Sequence, residues 1–327
     1  MSLFRPTRPN EGRVILICQA LYICAQAGSF ALARVLWAAD MASFLRAHLL
    51  ALGMLLAVLG LLSGKKTHIL ASLATIACAV LPYLSLPVQA SASRGAHVNV
   101  SIVTANVLGT NRDAVRFFNL PEVKAADLVV LQEVPSTWQE ALVTARDTWP
   151  WQSEATVKIS SHLRILSRFP ITSEQVITPP TPGSTGGRNA VRVALMVGSH
   201  PVIVYAVHAQ TPRSPQMWRQ RNTYLENLAS VLEQEKPDAS VIVAGDWNTP
   251  PWSPFLNDFL ERTGYQNTEP FMPVATRFVT GLETMPWLGT PIDRIALSPD
   301  LGLKAIGTAG PFGSDHLPVS AVISVPQ

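Results

Sequence analysis

An α/β fold behind an all-α N-terminal region made for lipid is what the 327 residues predict, and three observations carry that reading. Charged residues make up 14% against 48% hydrophobic, where an ordinary soluble domain has roughly 25% charged. The apolar excess lies at the front, in three long segments with hardly a charge. Behind them, short runs rich in β-branched residues alternate with helical patterns.

The three apolar segments, residues 14–33, 45–62 and 67–86, have about the length a bilayer-spanning helix needs, although the second is short unless it begins near Ser43. More apolar sequence follows the first, which argues against a cleaved signal peptide. Arg5, Arg8 and Arg13 precede the first span and Lys65 and Lys66 separate the second from the third, while Arg34 and Arg46 occupy the first loop. The positive-inside rule then puts the N-terminus and the Lys65-Lys66 loop in the cytoplasm. Three crossings place everything after residue 86 on the extracytoplasmic side of an integral membrane protein, in the cell or inner membrane. All three cysteines, Cys18, Cys24 and Cys78, fall in the spans, so the outer part has no disulfide to make.

Residues 1–90 are read as the membrane region, 91–97 as a linker within the stretch "SLPVQASASRG", and 98–327 as one large domain with its own core. From His97 onward 17 Lys and Arg face 20 Asp and Glu, a net charge of minus three. A general nucleic-acid surface, which is basic, is not indicated. Nothing in the sequence points to a protein partner.

Within the outer domain, strands are predicted at 98–107, 127–134, 163–171, 191–197, 202–209, 240–246, 292–297 and 317–325. Ser136 with Gln139 reads as the capping-box start of a helix to about Trp149. Further helices are predicted at 216–234, from the spacing of Met217, Tyr224, Leu225, Leu228 and Leu232, and at 253–262. "VGSHP" at 197–201 reads as a hairpin, so the sheet is mixed. The stretch "TPPTPGSTGG" at 178–187 reads as a mobile loop.

Polar residues end these strands: "TAN" with Asn106, "LQE" with Glu133, "YAVH" with His208, and "GDWN" with Asp246 and Asn248. "SDH" brings Asp315 and His316 ahead of the last strand, and "PID" brings Asp293. Each alone reads as a turn former, a surface charge or a core histidine. Several at one rim make a hard, oxygen-rich site suited to Mg²⁺ or Mn²⁺. A structural zinc site lacks its thiolates, and H-E-x-x-H, G-x-S-x-G, a P-loop and G-x-G-x-x-G are all missing. In "VIVAGDWNTPPWS", Gly245 permits close backbone approach, Pro250 and Pro251 stop the ladder, and Asn248 falls on the same side as Asp246 of an extended segment.

The ordered set "TAN", "LQEV", "LSRFPI", "VH", "GDWN", "IDRI" and "SDHLPV" resembles the endonuclease/exonuclease/phosphatase superfamily, the deoxyribonuclease-like metal-dependent phosphoesterases, over residues 100–325. The resemblance implies a four-layer α/β sandwich of two mixed β-sheets flanked by helices, here behind three transmembrane helices. It implies Glu133 as the principal Mg²⁺ ligand with Asn106 and Asp315 beside it, and Asp246 acting on the attacking water. Asn248 and His316 would contact phosphate, Asp293 would hold the His316 ring, and His208 would serve as general acid or oxygen donor. Arg188 and Arg213 are candidate substrate contacts. The implied activity is Mg²⁺-dependent phosphodiester hydrolysis at a membrane by in-line water attack, with nucleic acid as the first substrate class. A phospholipid headgroup or inositol phosphate is the alternative, and a catalytically silent binding module the third.

Overall fold

Alternation of apolar residues decides the architecture of the C-terminal part. In a strand successive side chains face opposite sides, and Val100 and Ile102 enter one core while Val103 and Ala105 enter another. Ile242 and Ala244 likewise face the first core, and Val241 and Val243 a third. In the computed structural model, which describes residues 9–86, 97–154, 162–178, 188–235, 239–270, 272–279, 285 and 288–327, the first core lies between two sheets. The expected linker 91–97 and loop 178–187 fall almost wholly outside the described residues.

Among the described residues one sheet runs in the order β11 (Gly302–Thr308), β12 (Val319–Pro326), β1 (His97–Asn106), β2 (Leu128–Gln132), β4 (Arg164–Ser167), β3 (Trp151–Gln152). The other runs β5 (Ile171–Ile177), β6 (Ala190–Val197), β7 (His200–His208), β8 (Ser240–Asp246), β10 (Asp293–Leu297), β9 (Gln266–Asn267). Each sheet is antiparallel except for a central parallel pair, β1 with β2 in one and β7 with β8 in the other. The second core packs α8 (Pro215–Leu232) and α9 (Pro254–Thr263) on the outer face of the β5–β9 sheet. The third packs α5 (Ala114–Phe118), α6 (Pro121–Ala125) and α7 (Gln139–Thr144) on the other. Two mixed sheets flanked by helices are thus the fold.

Several elements differ from expectation. The predicted strand 163–171 is two strands in different sheets, broken at Arg168, Phe169 and Pro170. Ser167 Oγ turns the chain by accepting from Phe169 N at 2.9 Å and donating to Phe169 O at 2.8 Å, and Pro170 has no N–H for a ladder. The helix predicted from Ser136 to Trp149 is α7 flanked by two short 3₁₀ turns, and no side-chain cap forms at its start. Short α5 and α6, and strands β3, β9 and β11, carry too few residues or too weak a pattern to be read beforehand.

By its contacts the chain divides into two units, residues 1–86 with Trp252–Pro254, and the remainder. The N-terminal unit holds α1 (Pro9–Leu32), α2 (Trp37–Met41), α3 (Arg46–Leu61) and α4 (Lys66–Leu84). Among the described residues three stretches are long and apolar enough to cross a membrane: Glu11–Leu32, Trp37–Leu61 and Lys66–Leu84, of 22, 25 and 19 residues. The second therefore begins well before the expected residue 45, because a 3₁₀ turn (Ala42–Leu45) joins α2 to α3. Arg46, expected in a loop, lies inside this span and is buried. It donates to Gln26 Oε1 and to Ser29 Oγ (3.0 Å), with its guanidinium 4.3 Å from the Phe30 ring centroid.

Polarity in this unit is inverted. Gln19, Gln26, Ser72 and Thr75 are buried, while Val14, Leu21, Leu70, Leu81 and Leu84 are exposed, the distribution expected of helices that could lie in a membrane. Gln19 Nε2 donates to Ser72 Oγ at 2.9 Å and Leu56 O at 3.0 Å. A Cβ on Gly60 would lie 2.3 Å from Ser72 Oγ, so glycine is what lets these helices close.

Candidate active site

Side-chain alternation carries the polar strand ends to the gap between the sheets. Continuing the core-facing parity, Val100 and Ile102 lead to Asn106, Val202 and Val204 to His208, Ile242 and Ala244 to Asp246, and Leu297 and Ile295 to Asp293. All four are buried. Glu133 has the opposite parity and would face the helices, but its φ of 56° turns it back toward the site. The positive-φ residues other than glycine among the described residues are Leu108, Glu133 and Asn248 (φ 47°), all just past site strands. Strained backbone of this kind concentrates where geometry serves a site.

Asn106 joins the two sheets. Its Nδ2 donates to Glu133 Oε1 at 3.0 Å and to Asp246 Oδ2 at 3.1 Å, while Oδ1 accepts from Leu108 N at 3.1 Å. Ligation of a metal through Oδ1 would need this amide turned over. Glu133 Oε2 accepts from Gly109 N at 3.2 Å. Burial disfavours the Glu133 charge, but hydrogen bonds from Asn106 and the Gly109 amide, with the nearby His316 charge, hold the carboxyl below its ordinary value.

His208 Nε2 lies 3.6 Å from both Glu133 Oε1 and Asp246 Oδ2. Its Nδ1 is 3.1 Å from the Arg188 guanidinium, which can only donate, so Nδ1 accepts and Nε2 carries the hydrogen. Burial and the Arg188 charge push its pKa down to about 3; the ring is neutral. Arg188 Nε also donates to Gln210 Oε1 at 3.3 Å. A cavity of about 590 Å³, lined by Gly109, Glu133, His162, Arg188, Asn189 and His208 among others, opens in front.

Asp246 accepts from Asn248 N (2.8 Å) and Asn248 Nδ2 (3.1 Å). Burial and the charge of Asp293 raise its pKa to about 7, against the pull of His316. His316 Nδ1 binds Asp293 Oδ2 at 2.8 Å, and its Nε2 faces Asp246 Oδ2 and Asp315 Oδ1, each at 3.9 Å. Burial opposes the imidazolium, yet Asp293, Asp246 and Asp315 together raise its pKa to about 9; at neutral pH it is charged. Asp246, Asp293 and His316 are the one trio among the described residues whose ligand atoms lie within 4.8 Å of one another.

Two expectations change. Asn248 does not continue an extended segment. It sits in a left-handed turn, and both Nδ2 hydrogens are engaged, by Asp246 and by Ala209 O at 3.0 Å; a phosphate would have to compete for one. Arg213 is exposed, with no side-chain partner among the described residues. Arg277, absent from the sequence reading, faces Asp315 Oδ2 at 3.4 Å; one arginine in a loop of mixed composition gave no signal.

Glu133, Asp246, Asp293 and Asp315 set four carboxyls against His316, Arg188 and Arg277. With the Asn106 amide they offer mostly oxygen donors, a set that fits a hard divalent cation.

The Endonuclease/Exonuclease/phosphatase family model matches residues 103–316. The chain belongs to that family. Its members are hydrolases of phosphoester bonds, and this chain is one of them by membership. Among curated proteins no sequence matches. Of the solved structures it resembles, sphingomyelinase C from Streptomyces griseocarneus shares 17% identity over 69% of this chain and 99% of that one, with a TM-score of 0.54. A humanized Danio rerio TDP2 shares 16% over 69% and 99%, TM-score 0.52. A double mutant of beta toxin from Staphylococcus aureus, with bound magnesium ions, shares 14% over 68% and 99%, TM-score 0.54. At such identities these likenesses concern the fold.

Proposed function

We propose that this chain is a divalent-metal-dependent phosphodiesterase tethered to a membrane, its site on the extracytoplasmic side. The observation that carries the reading is the Asn106 amide joining Glu133 and Asp246 across the gap, with His208 and His316 on either side. Glu133, with Asp315 and Asn106 beside it, would hold Mg²⁺ or Mn²⁺, which when bound supplies charge neutralisation at the phosphate oxygens. Asp246, fixed by three hydrogen bonds, orients the attacking water and takes its proton. His316, held charged by Asp293, donates to a non-bridging oxygen, and neutral His208 offers Nε2–H to another. Arg188 keeps His208 in that tautomer and lies at the cavity where the substrate enters. Asn248 holds the Asp246 carboxylate.

Nucleic acid is the first substrate class the motifs imply. A specific observation favours the second, a phospholipid headgroup. Met272, Val274, Val279 and Leu288 are exposed on the segment tied to the site through Phe278 N to Asp315 O (2.8 Å) and Leu317 N to Thr276 O (2.7 Å). Exposed apolar side chains beside a site suit a substrate embedded in lipid.

The test is hydrolysis by the purified full-length protein, with Mg²⁺ or with EDTA, of bis(p-nitrophenyl) phosphate, plasmid DNA, RNA and phospholipid vesicles. Cleavage that requires Mg²⁺ is expected, with vesicles the preferred natural substrate. Preference for DNA or RNA would return the reading to the nuclease class, and silence on all four would leave a binding module.

A further inference from the structure

The turn that follows Asp246 is stitched almost entirely by groups outside the sheet ladder. Trp247 N donates to Ile292 O at 3.0 Å and Trp247 O accepts from Thr249 Oγ1 at 2.7 Å. Asn248 N donates to Asp246 Oδ1 at 2.8 Å. The next two carbonyls are each held by a buried arginine: Asn248 O by Arg221 NH1 at 3.2 Å, and Thr249 O by Arg294 NH2 at 2.9 Å. Buried backbone polar groups must find partners, but a guanidinium is a costly one to bring inside.

Both arginines stand where the pattern calls for an apolar residue. Arg221 lies on the buried stripe of α8 formed by Trp218, Leu225, Leu228 and Leu232, and is itself 0% exposed. Arg294 is 1% exposed on β10, next to Asp293 and hence on the opposite, helix-covered face. Neither reaches the gap where a substrate would sit. Each charge is accommodated locally: Arg221 Nε donates to Asn222 Oδ1 at 2.7 Å, and Arg294 NH2 lies 2.9 Å from the buried Glu269 carboxylate. Aromatic rings back both, Phe255 at 5.4 Å and Trp247 at 5.8 Å.

We propose that Arg221 and Arg294 are positioning residues: a two-arginine clamp on consecutive carbonyls that holds Asn248 in its left-handed conformation and thereby aims the Asp246 carboxylate. The catalytic consequence rests on the hydrolase reading above, whereas the conformational one does not. Lysine keeps the charge but not the planar guanidinium from which Arg221 reaches the Asn248 carbonyl through NH1 and the Asn222 amide oxygen through Nε, nor the reach of Arg294 NH2 to Thr249 O. Misplacement of a reacting group by about 1 Å costs on the order of 10²-fold.

The experiment uses the full-length protein in lipid nanodiscs and the variants Arg221→Lys, Arg294→Lys, Arg221→Met and Arg294→Met. Hydrogen exchange is read by mass spectrometry on peptides covering residues 246–251, and kinetics on bis(p-nitrophenyl) phosphate. Faster exchange confined to the turn is expected, with kcat lowered by roughly 10- to 100-fold, less for lysine than for methionine. KM and the Mg²⁺ concentration for half-activity stay within about twofold, since the clamp touches neither substrate nor metal. Unchanged exchange in the turn of the folded lysine variants overturns the proposal, as does wild-type kcat. Acceleration spread over the whole domain also overturns it, because that marks general destabilisation. Should the wild type hydrolyse nothing, localised exchange still upholds the clamp while the hydrolase reading falls.

Discussion

Two residues show how environment divides the labour of the site. Asp246 and His316 face each other at 3.9 Å, yet burial drives the acid up to about 7 while Asp293 and its neighbours drive the imidazole up to about 9. Asp246→Asn and His316→Ala should each lower turnover by about 10²- to 10⁴-fold, the usual range for such groups; wild-type rates in both would remove them from the mechanism. The His316 shift also has a stability sign. A raised folded-state pKa contributes stability that is complete below the unfolded value near 6.5 and is lost as pH climbs through about 9. Thermal stability in EDTA should therefore fall across that window, and Asp293→Asn should flatten the slope; equal slopes would deny Asp293 this role. Asn106, Glu133, His208 and Asp246 stood out as candidates because polar residues at strand ends are written in the sequence. The turning of Glu133 at φ 56° and of Asn248 at φ 47° was not, since neither residue type demands a left-handed backbone.

At the scale of elements, β8 shows what a strand needs in order to present an acid. Gly245 has φ 151°, and a Cβ there would sit 2.0 Å from Val207 O on the neighbouring parallel strand. Gly245→Ala should then cost about 3 kcal/mol, read as a shift in the denaturant midpoint; an unmoved midpoint would show that the strands can part freely. Close approach at this glycine was legible from its place before the acid. The sheet switch at Phe169-Pro170 was less so, because Leu163, Ile165, Phe169 and Ile171 keep strand alternation on either side of Ser167 and only the pairing partners differ. Arg221 and Arg294 were hidden for the opposite reason: a charge on a buried stripe reads as an error in the stripe until its partner carbonyl is seen.

On the scale of the whole molecule, the two units differ in which side chains they bury, polar ones between the N-terminal helices and apolar ones between the sheets. The inverted bundle and the Lys65-Lys66 loop motivate the topology proposed above, in which three crossings put the residues after 86 outside the cytoplasm. A reporter active only outside the cytoplasm, fused after Gln327, should be active; one active only inside the cytoplasm should be silent, and the reverse result would undo the assignment. The α/β unit has its own consequence. Each parallel pair delivers half of the site, Asn106 and Glu133 from one sheet, His208 and Asp246 from the other. Asn106 to Asp246 and His316 to Asp293 are sutures between the two. Sliding one sheet over the other is therefore a change in the chemistry, and the greasy layer between them works as a spacer that sets the jaw of a vice. Val204→Ala, in that layer and four residues before His208 on the same strand, should lower turnover at saturating substrate and make it fall more steeply under hydrostatic pressure.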